Sequence, residues 1–176
     1  MARLTWIGAA LATAMASASA QATLPVPPQA AAVRQADAYL FHSGASDVFE
    51  ITSSMILMGK SQTAVVRGYA TMMIDHHTQT TSQALTIAKA AGVMPPPPEL
   101  TAAQKGLITQ LLAATPATID RVYLTQQVAS HQQALAMQQG YSTRGDVPAL
   151  RQTAQATVPV VTSHLQSARE LVRGAR

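Results

Sequence analysis

The sequence predicts an all-α chain, an up-down four-helix bundle with a short extra helix in the second crossing, and three observations carry that expectation. Alanine, glutamine, leucine and threonine dominate, while phenylalanine occurs twice and tryptophan once, a balance that favours helix over sheet. Breakers cut the chain into segments of helical length: Gly59 with Ser61-Gln62, the prolines at 95–98, Thr115-Pro116, and the span from Gly140 to Gly145. No stretch alternates apolar and polar residues as a half-buried strand does, and no internal repeat is visible.

The N-terminal segment bears on where the chain works. Arg3 supplies a short positive start, residues 4–16 are apolar, and Ala18-Ser19-Ala20 offers small residues before Gln21, the pattern of a secretory signal peptide over residues 1–20. Cleavage after Ala20 is the first choice and cleavage after Ala22 the second. The apolar run falls short of the roughly 20 residues that a membrane-spanning helix needs, so no stable span is expected once the signal is removed. The expected location is the periplasm, the cell envelope or the exterior. Residues 21–29, with "TLPVPPQ" inside them, are too rich in proline for helix and read as an extended spacer. Residues 30–176 suffice for a single helical bundle domain with a core of its own. The absence of cysteine excludes thiolate metal sites and thiol catalysis. Lys and Arg number 12 against 8 acidic residues, but Arg3 belongs to the signal, and Arg169, Arg173 and Arg176 complement the end of a helix. No helix carries a basic stripe, so no nucleic-acid partner is expected.

The first helix is expected over residues 30–60, interrupted near His42-Ser43-Gly44, and the second over residues 62–91, ended by Gly92. A short helix follows over residues 101–113. Thr115 reads as an N-cap with Pro116 at the first helical position, opening a third long helix to about residue 139. Asp146 reads as the cap of the fourth, which runs to about residue 173 with a kink at Pro159. Long segments joined by short connections pack most simply as an up-down bundle.

On these helices the histidines can be assigned to faces. Leu124, Val128, His131 and Leu135 recur at helical spacing, with Asp120 one turn before them, so His131 lies in an apolar stripe. Val161, His164, Leu165, Ala168 and Leu171 do the same for His164. The run "MMIDHH" is less decisive, because two stripes compete. Val66, Ala70, Met73, His77, Thr81, Ala84 and Ala88 form one, and Val65, Tyr69, Met72, His76, Thr80, Gln83 and Ile87 the other. The first is smaller and less polar, which favours His77 inside and His76 at the flank. His77 lies about 15 residues before the end of its helix and His131 about 15 after the start of the next, so an antiparallel pair would bring them together at mid-height. A core imidazole is costly unless its nitrogens are partnered, either by hydrogen bonds to groups such as Asp120, Tyr123, Gln127 or a backbone carbonyl, or by a metal ion.

Glu50-Ile51, "MMIDHH", "IDRVYLTQQVASH" from Ile119 and "TVPVVTSHLQSA" from Thr157 together resemble a secreted bacterial family called domain of unknown function 4142, over about residues 36–171. The resemblance implies a ferritin-like four-helix bundle whose repeated polar residues fall on Glu50, His77, Asp120, Tyr123, His131 and His164. It therefore selects His77 over His76. The chain departs from the family's pattern at Ser130, where an aspartate is usual, and at Ile119, where a phenylalanine is usual. By its own periodicity Glu50 is not on an apolar face and reads as solvated. "MMIDHH" alone also resembles the Met-Met-x-x-His-His helix of domain of unknown function 305, for which copper handling is suggested. That resemblance would make Met55, Met58, Met72 and Met73 candidate thioether ligands for Cu(I). The plain reading of methionines at helical spacing is core filler.

Three classes of function follow. The first is a secreted bundle that stores, buffers or senses a transition metal through His77, His131 and His164, with Glu50 and Asp120 as carboxylate candidates; zinc, copper, iron and manganese are all allowed. The second is a structural or interaction protein of the cell envelope whose core histidines are hydrogen-bonded and whose partner the sequence does not name. The third is a small metal-dependent oxidoreductase. A carboxylate-bridged di-iron oxidase is disfavoured, because neither His131 nor His164 has a glutamate three residues before it.

Overall fold

The computed structural model describes residues 26–95 and 97–174. The expected signal peptide, both cleavage points and the first part of the spacer lie outside the described residues. Residues 26–28 have no regular structure, and a short 3-10 helix (Gln29–Val33) follows. Five α-helices make up the rest: α1 (Ala36–Lys60), α2 (Ala64–Ala90), α3 (Ala102–Ala113), α4 (Ile119–Arg144) and α5 (Pro148–Gly174). The described residues contain no strand.

The helix ends show which local signals acted, Gly92 as expected. Gly92 stops α2 by taking a positive φ of 74°, and Val93 then donates its amide to the Ala88 carbonyl. Thr101 and Gln104 form a reciprocal capping box at the start of α3. At the other end of α3 the Lys60 ammonium donates to the carbonyls of Leu111, Leu112 and Ala114, which helix geometry would otherwise leave unpaired.

Other ends differ from expectation. His42-Ser43-Gly44 does not interrupt α1; Gly44 is there because Pro98 packs on it, and a Cβ at that position would sit 2.7 Å from the Pro98 Cβ. Likewise Gly140 does not end α4, which continues to Arg144, because the residue lies against Val33 of the 3-10 helix with no space for a side chain. Thr115 does not use its hydroxyl to accept a helix amide. Instead Thr118 Oγ1 accepts the Thr115 amide, and α4 opens at Ile119. Asp146 does not cap α5: its carboxylate accepts the Tyr141 hydroxyl at 2.9 Å, and Pro148 opens the helix. Residues on both sides of Pro159 belong to one helix.

α1 packs against α2 and α4, and α5 packs against the same two. Hydrogen bonds set the directions. Asp47–His77 and Met58–Arg67 make α1 and α2 antiparallel, Tyr39–Gln138 and Ser54–Tyr123 make α1 and α4 antiparallel, and the short link between α4 and α5 reverses the chain again. Consequently α2 and α4 run in the same direction, not as antiparallel neighbours. α3 makes this possible by returning alongside α1, from Gln104 on the Ala45 carbonyl to its end at Lys60. The expected simple alternation of four long helices is thus replaced by an arrangement with one long crossover, and α3 lies in it.

The apolar core is split along the bundle. One cluster gathers Tyr39, Leu40, Ala88, Met137, Tyr141 and Leu150, and the other gathers Leu57, Val66, Tyr69, Met73, Leu111 and Leu124. Between them lies a buried polar layer containing Asp47, Glu50, Ser53, His77, Gln127, His131 and His164. Among the described residues, no helix is long and apolar enough to cross a membrane.

Candidate metal centre

The polar layer draws one histidine from the middle of each of α2, α4 and α5, and two carboxylates from α1. His77 from α2, His131 from α4 and His164 from α5 are all buried, and one ring nitrogen of each lies within 4.8 Å of those of the other two. His131 and His164 have ring centroids 5.4 Å apart, and His77 is 5.9 and 5.7 Å from them. The depth expected of His77 and His131 therefore holds, although the antiparallel premise behind it does not. Both sit near the middle of their helices, so they meet whichever way the helices run.

Each ring is held by one nitrogen and idle at the other. His77 Nδ1 is 2.7 Å from Asp47 Oδ1, whose second oxygen accepts the Thr81 hydroxyl at 2.7 Å. His131 Nδ1 donates to the Gln127 carbonyl at 2.9 Å. His164 Nε2 is 2.8 Å from His76 Nδ1. The remaining atoms, His77 Nε2, His131 Nε2 and His164 Nδ1, are buried and have no hydrogen-bond partner. A buried imidazole nitrogen without a partner is costly, and here three rings packed together carry one each.

The structure also places the other predicted residues. Glu50 is buried, at 1% exposure, contrary to the solvated reading. Its Oε1 accepts the Ser130 hydroxyl at 2.5 Å, so Ser130 serves as a donor to the buried carboxylate. The carboxylate is 3.8 Å from His131 Nδ1, the nitrogen facing away from the idle one, and its Oε2 has no partner. Asp120 is not brought to the cluster. It lies in the first turn of α4, about 16 Å along the helix from His131, where a carboxylate complements the helix dipole. Tyr123 is wholly buried, with its hydroxyl 2.7 Å from Ser54 Oγ. The methionines do not form one site: Met73 is inside the apolar cluster, while Met55 is 62% exposed.

Asp47 in the layer was missed in the sequence, and so was the contact that His76 makes with the layer. Asp47 gave no periodic signal that separates a buried carboxylate from a surface one. His76 was placed at the flank, and it is exposed, but its hydrogen bond to His164 across 88 residues has no sequence signature.

The electrostatics fit the geometry. Burial pushes His77 down, but the Asp47 hydrogen bond and the charges of Glu50 and Asp47 outweigh it, so its pKa is raised above the usual histidine value. His131 is lowered, chiefly by burial. His164 is lowered to about 3 by burial and by the neighbouring imidazoles of His131, His77 and His76. The Tyr69 and Tyr123 phenols are pushed up by burial and by Glu50, which keeps them protonated.

A solved structure of a DUF305 fragment from Deinococcus radiodurans is similar in fold, with a TM-score of 0.68 at 16% identity, covering 85% of this chain and 98% of that one. The second of the two resemblances in the sequence, read from "MMIDHH" alone, thus extends to the fold. Among curated proteins, none matches the chain. Residues 16–171 match the family described as Domain of unknown function (DUF4142), and the chain belongs to that family.

Proposed function

We propose that the protein is a secreted or periplasmic bundle, ferritin-like in its four long helices, that holds one divalent transition metal ion on His77, His131 and His164. The observation that carries this reading is the cluster of three buried histidines, each with one ring nitrogen pinned and the other without a partner. Metal-binding histidines commonly have this arrangement, in which the second ring nitrogen fixes the orientation and tautomer of the first. A core built only for hydrogen bonding has no use for three idle nitrogens. The single long crossover through α3 supports the ferritin-like assignment, and the N-terminal pattern supports export.

Three imidazoles suit zinc, copper, iron and other borderline ions. Asp47 and Glu50 supply two negative charges around the neutral ligands, which balances a divalent ion and leaves a monovalent one short by one charge. A tetrahedral ion with nitrogen bonds of about 2.0–2.1 Å sets its donors about 3.4 Å apart, so the rings draw together on loading through side-chain rotation. Storage, buffering and sensing all use such a site.

The test is a thermal titration of the mature chain after chelator treatment, with Zn²⁺, Cu²⁺, Fe²⁺ and Mn²⁺ in turn. The ion that fits raises the melting temperature, with a stabilisation of about 2.7 kcal/mol at a hundredfold excess over Kd. The His131→Ala variant should show no such rise. If none of these ions shifts the wild-type midpoint, the histidines are structural.

A further inference from the structure

Three protein nitrogens leave a tetrahedral ion one position short, and the structure contains a space beside the cluster. A cavity of about 30 Å³ touches His77 and His164, though not His131, and is walled by Ser43, Asp47, Thr80, Thr157 and Val160, among others. That volume holds one or two waters. The Ser43 hydroxyl on its wall is buried and has no hydrogen-bond partner. Of the carboxylates in reach, Asp47 has both oxygens engaged, by His77 and Thr81, and Glu50 approaches His131 from its Nδ1 edge with one oxygen on Ser130.

The cavity is close to the surface. Outside it, between α2 and α5, lies an open groove of about 480 Å³ lined by His76, Gln79, Gln83 and Gln152. Thr80, Thr157 and Val160 line both the groove and the inner cavity, so these three side chains form the partition between them. Val160 is 41% exposed, so the partition is one side chain thick at that point and has solvent on its outer side.

We propose that the fourth position on the metal belongs to an exogenous ligand of water size, a water molecule or a small anion, which sits in the Ser43 cavity and exchanges with solvent past Thr80, Thr157 and Val160. The assignment rests on the three-histidine reading and deepens it. A site closed by four protein ligands serves structure, whereas one with an exchangeable position accepts a ligand from outside. The hydroxyl wall suits a ligand that accepts hydrogen bonds, and the size of the cavity excludes anything much larger than azide.

The test uses protein loaded with Co²⁺, whose visible bands report its ligands, titrated with sodium azide. In the wild type the bands shift along a saturable curve. In Val160→Trp, which fills the partition, azide binds about tenfold more slowly, while the cobalt stoichiometry is unchanged. Val65→Trp, on an exposed position near the opposite end of α2, leaves the rate unaltered. If the bands of the loaded wild type ignore azide but change in Glu50→Gln, Glu50 fills the fourth position and the inference is overturned while the metal site stands. If azide binds but its rate is unchanged in Val160→Trp, the route is overturned. Failure of Co²⁺ and of every other tested ion to bind defeats the three-histidine reading itself.

Discussion

At the scale of single residues, the layer around the histidines separates atoms free to bind an ion from atoms that hold the ring in place. His77 and His76, adjacent in sequence, illustrate the difference. Replacing His77 by Gln should lower stability by about 1–3 kcal/mol, because it leaves Asp47 buried without its partner. Replacing His76 by Gln should leave stability within about 0.5 kcal/mol, as for other exposed positions. Both should weaken metal binding: His76→Gln by about tenfold or more, through the lost support to His164. Urea titrations with and without ion separate the two effects. Asp47→Asn belongs with His76, as a support whose loss lowers affinity by about 10–100-fold.

The titrations of the same rings set the pH dependence of the metal-free chain. His131 and His164 have lowered pKa values, so between the usual histidine value of about 6.5 and the His164 value of about 3 the unfolded chain binds more protons than the folded one. Their contribution is present above that window and is lost as pH falls through it. His77 is raised, so its contribution is complete below about 6.5 and is lost as pH rises through its folded value. Below about pH 6.5 His77 no longer changes the balance, so metal-free stability should fall on acidification as His131 and His164 resist protonation. In His164→Gln the fall should be shallower. A slope unchanged by that substitution would show that His164 is not held neutral in the core.

At the scale of elements, much of the fold could be read in the sequence, and the exceptions share a cause. α2 ended where Gly92 said it would, and α3 opens on the Thr101–Gln104 capping box, because those signals are local. Gly44, Gly140 and Asp146 were misread because each answers to a residue distant in sequence or already engaged: Pro98, Val33 and Tyr141. Two glycine substitutions test the distinction. Gly68→Ala, on an exposed turn of α2 with open space around it, should stabilise by about 0.5–1 kcal/mol. Gly140→Ala gains the same helix propensity but drives a methyl group to 2.6 Å from Val33 Cγ1, and should destabilise by about 1–3 kcal/mol. Melting midpoints of the pair should move in opposite directions, and Val33→Ala should recover part of the second loss.

At the scale of the whole molecule, the amphipathic stripes were legible but the order in which the helices surround one another was not. Stripe analysis says which face of each helix goes inward, and both possible topologies bury the same faces. Only the cross-helix bonds, such as Tyr39–Gln138 and Ser54–Tyr123, decide that α2 and α4 run together. The same limit applied to the site. Three histidines in apolar stripes were visible, whereas Asp47 and the support from His76 depended on the packing. The result is a bundle with two apolar clusters and a polar layer between them, an arrangement costly for stability alone and well suited to holding an ion. The most direct measurement of that claim is X-ray absorption at the edge of the bound metal. The account predicts nitrogen or oxygen donors at about 2.0–2.1 Å with outer-shell scattering from three imidazole rings, and loss of that pattern in His131→Ala. A shell of oxygen donors without imidazole scattering, unchanged by that substitution, would place the ion elsewhere on the protein and contradict it.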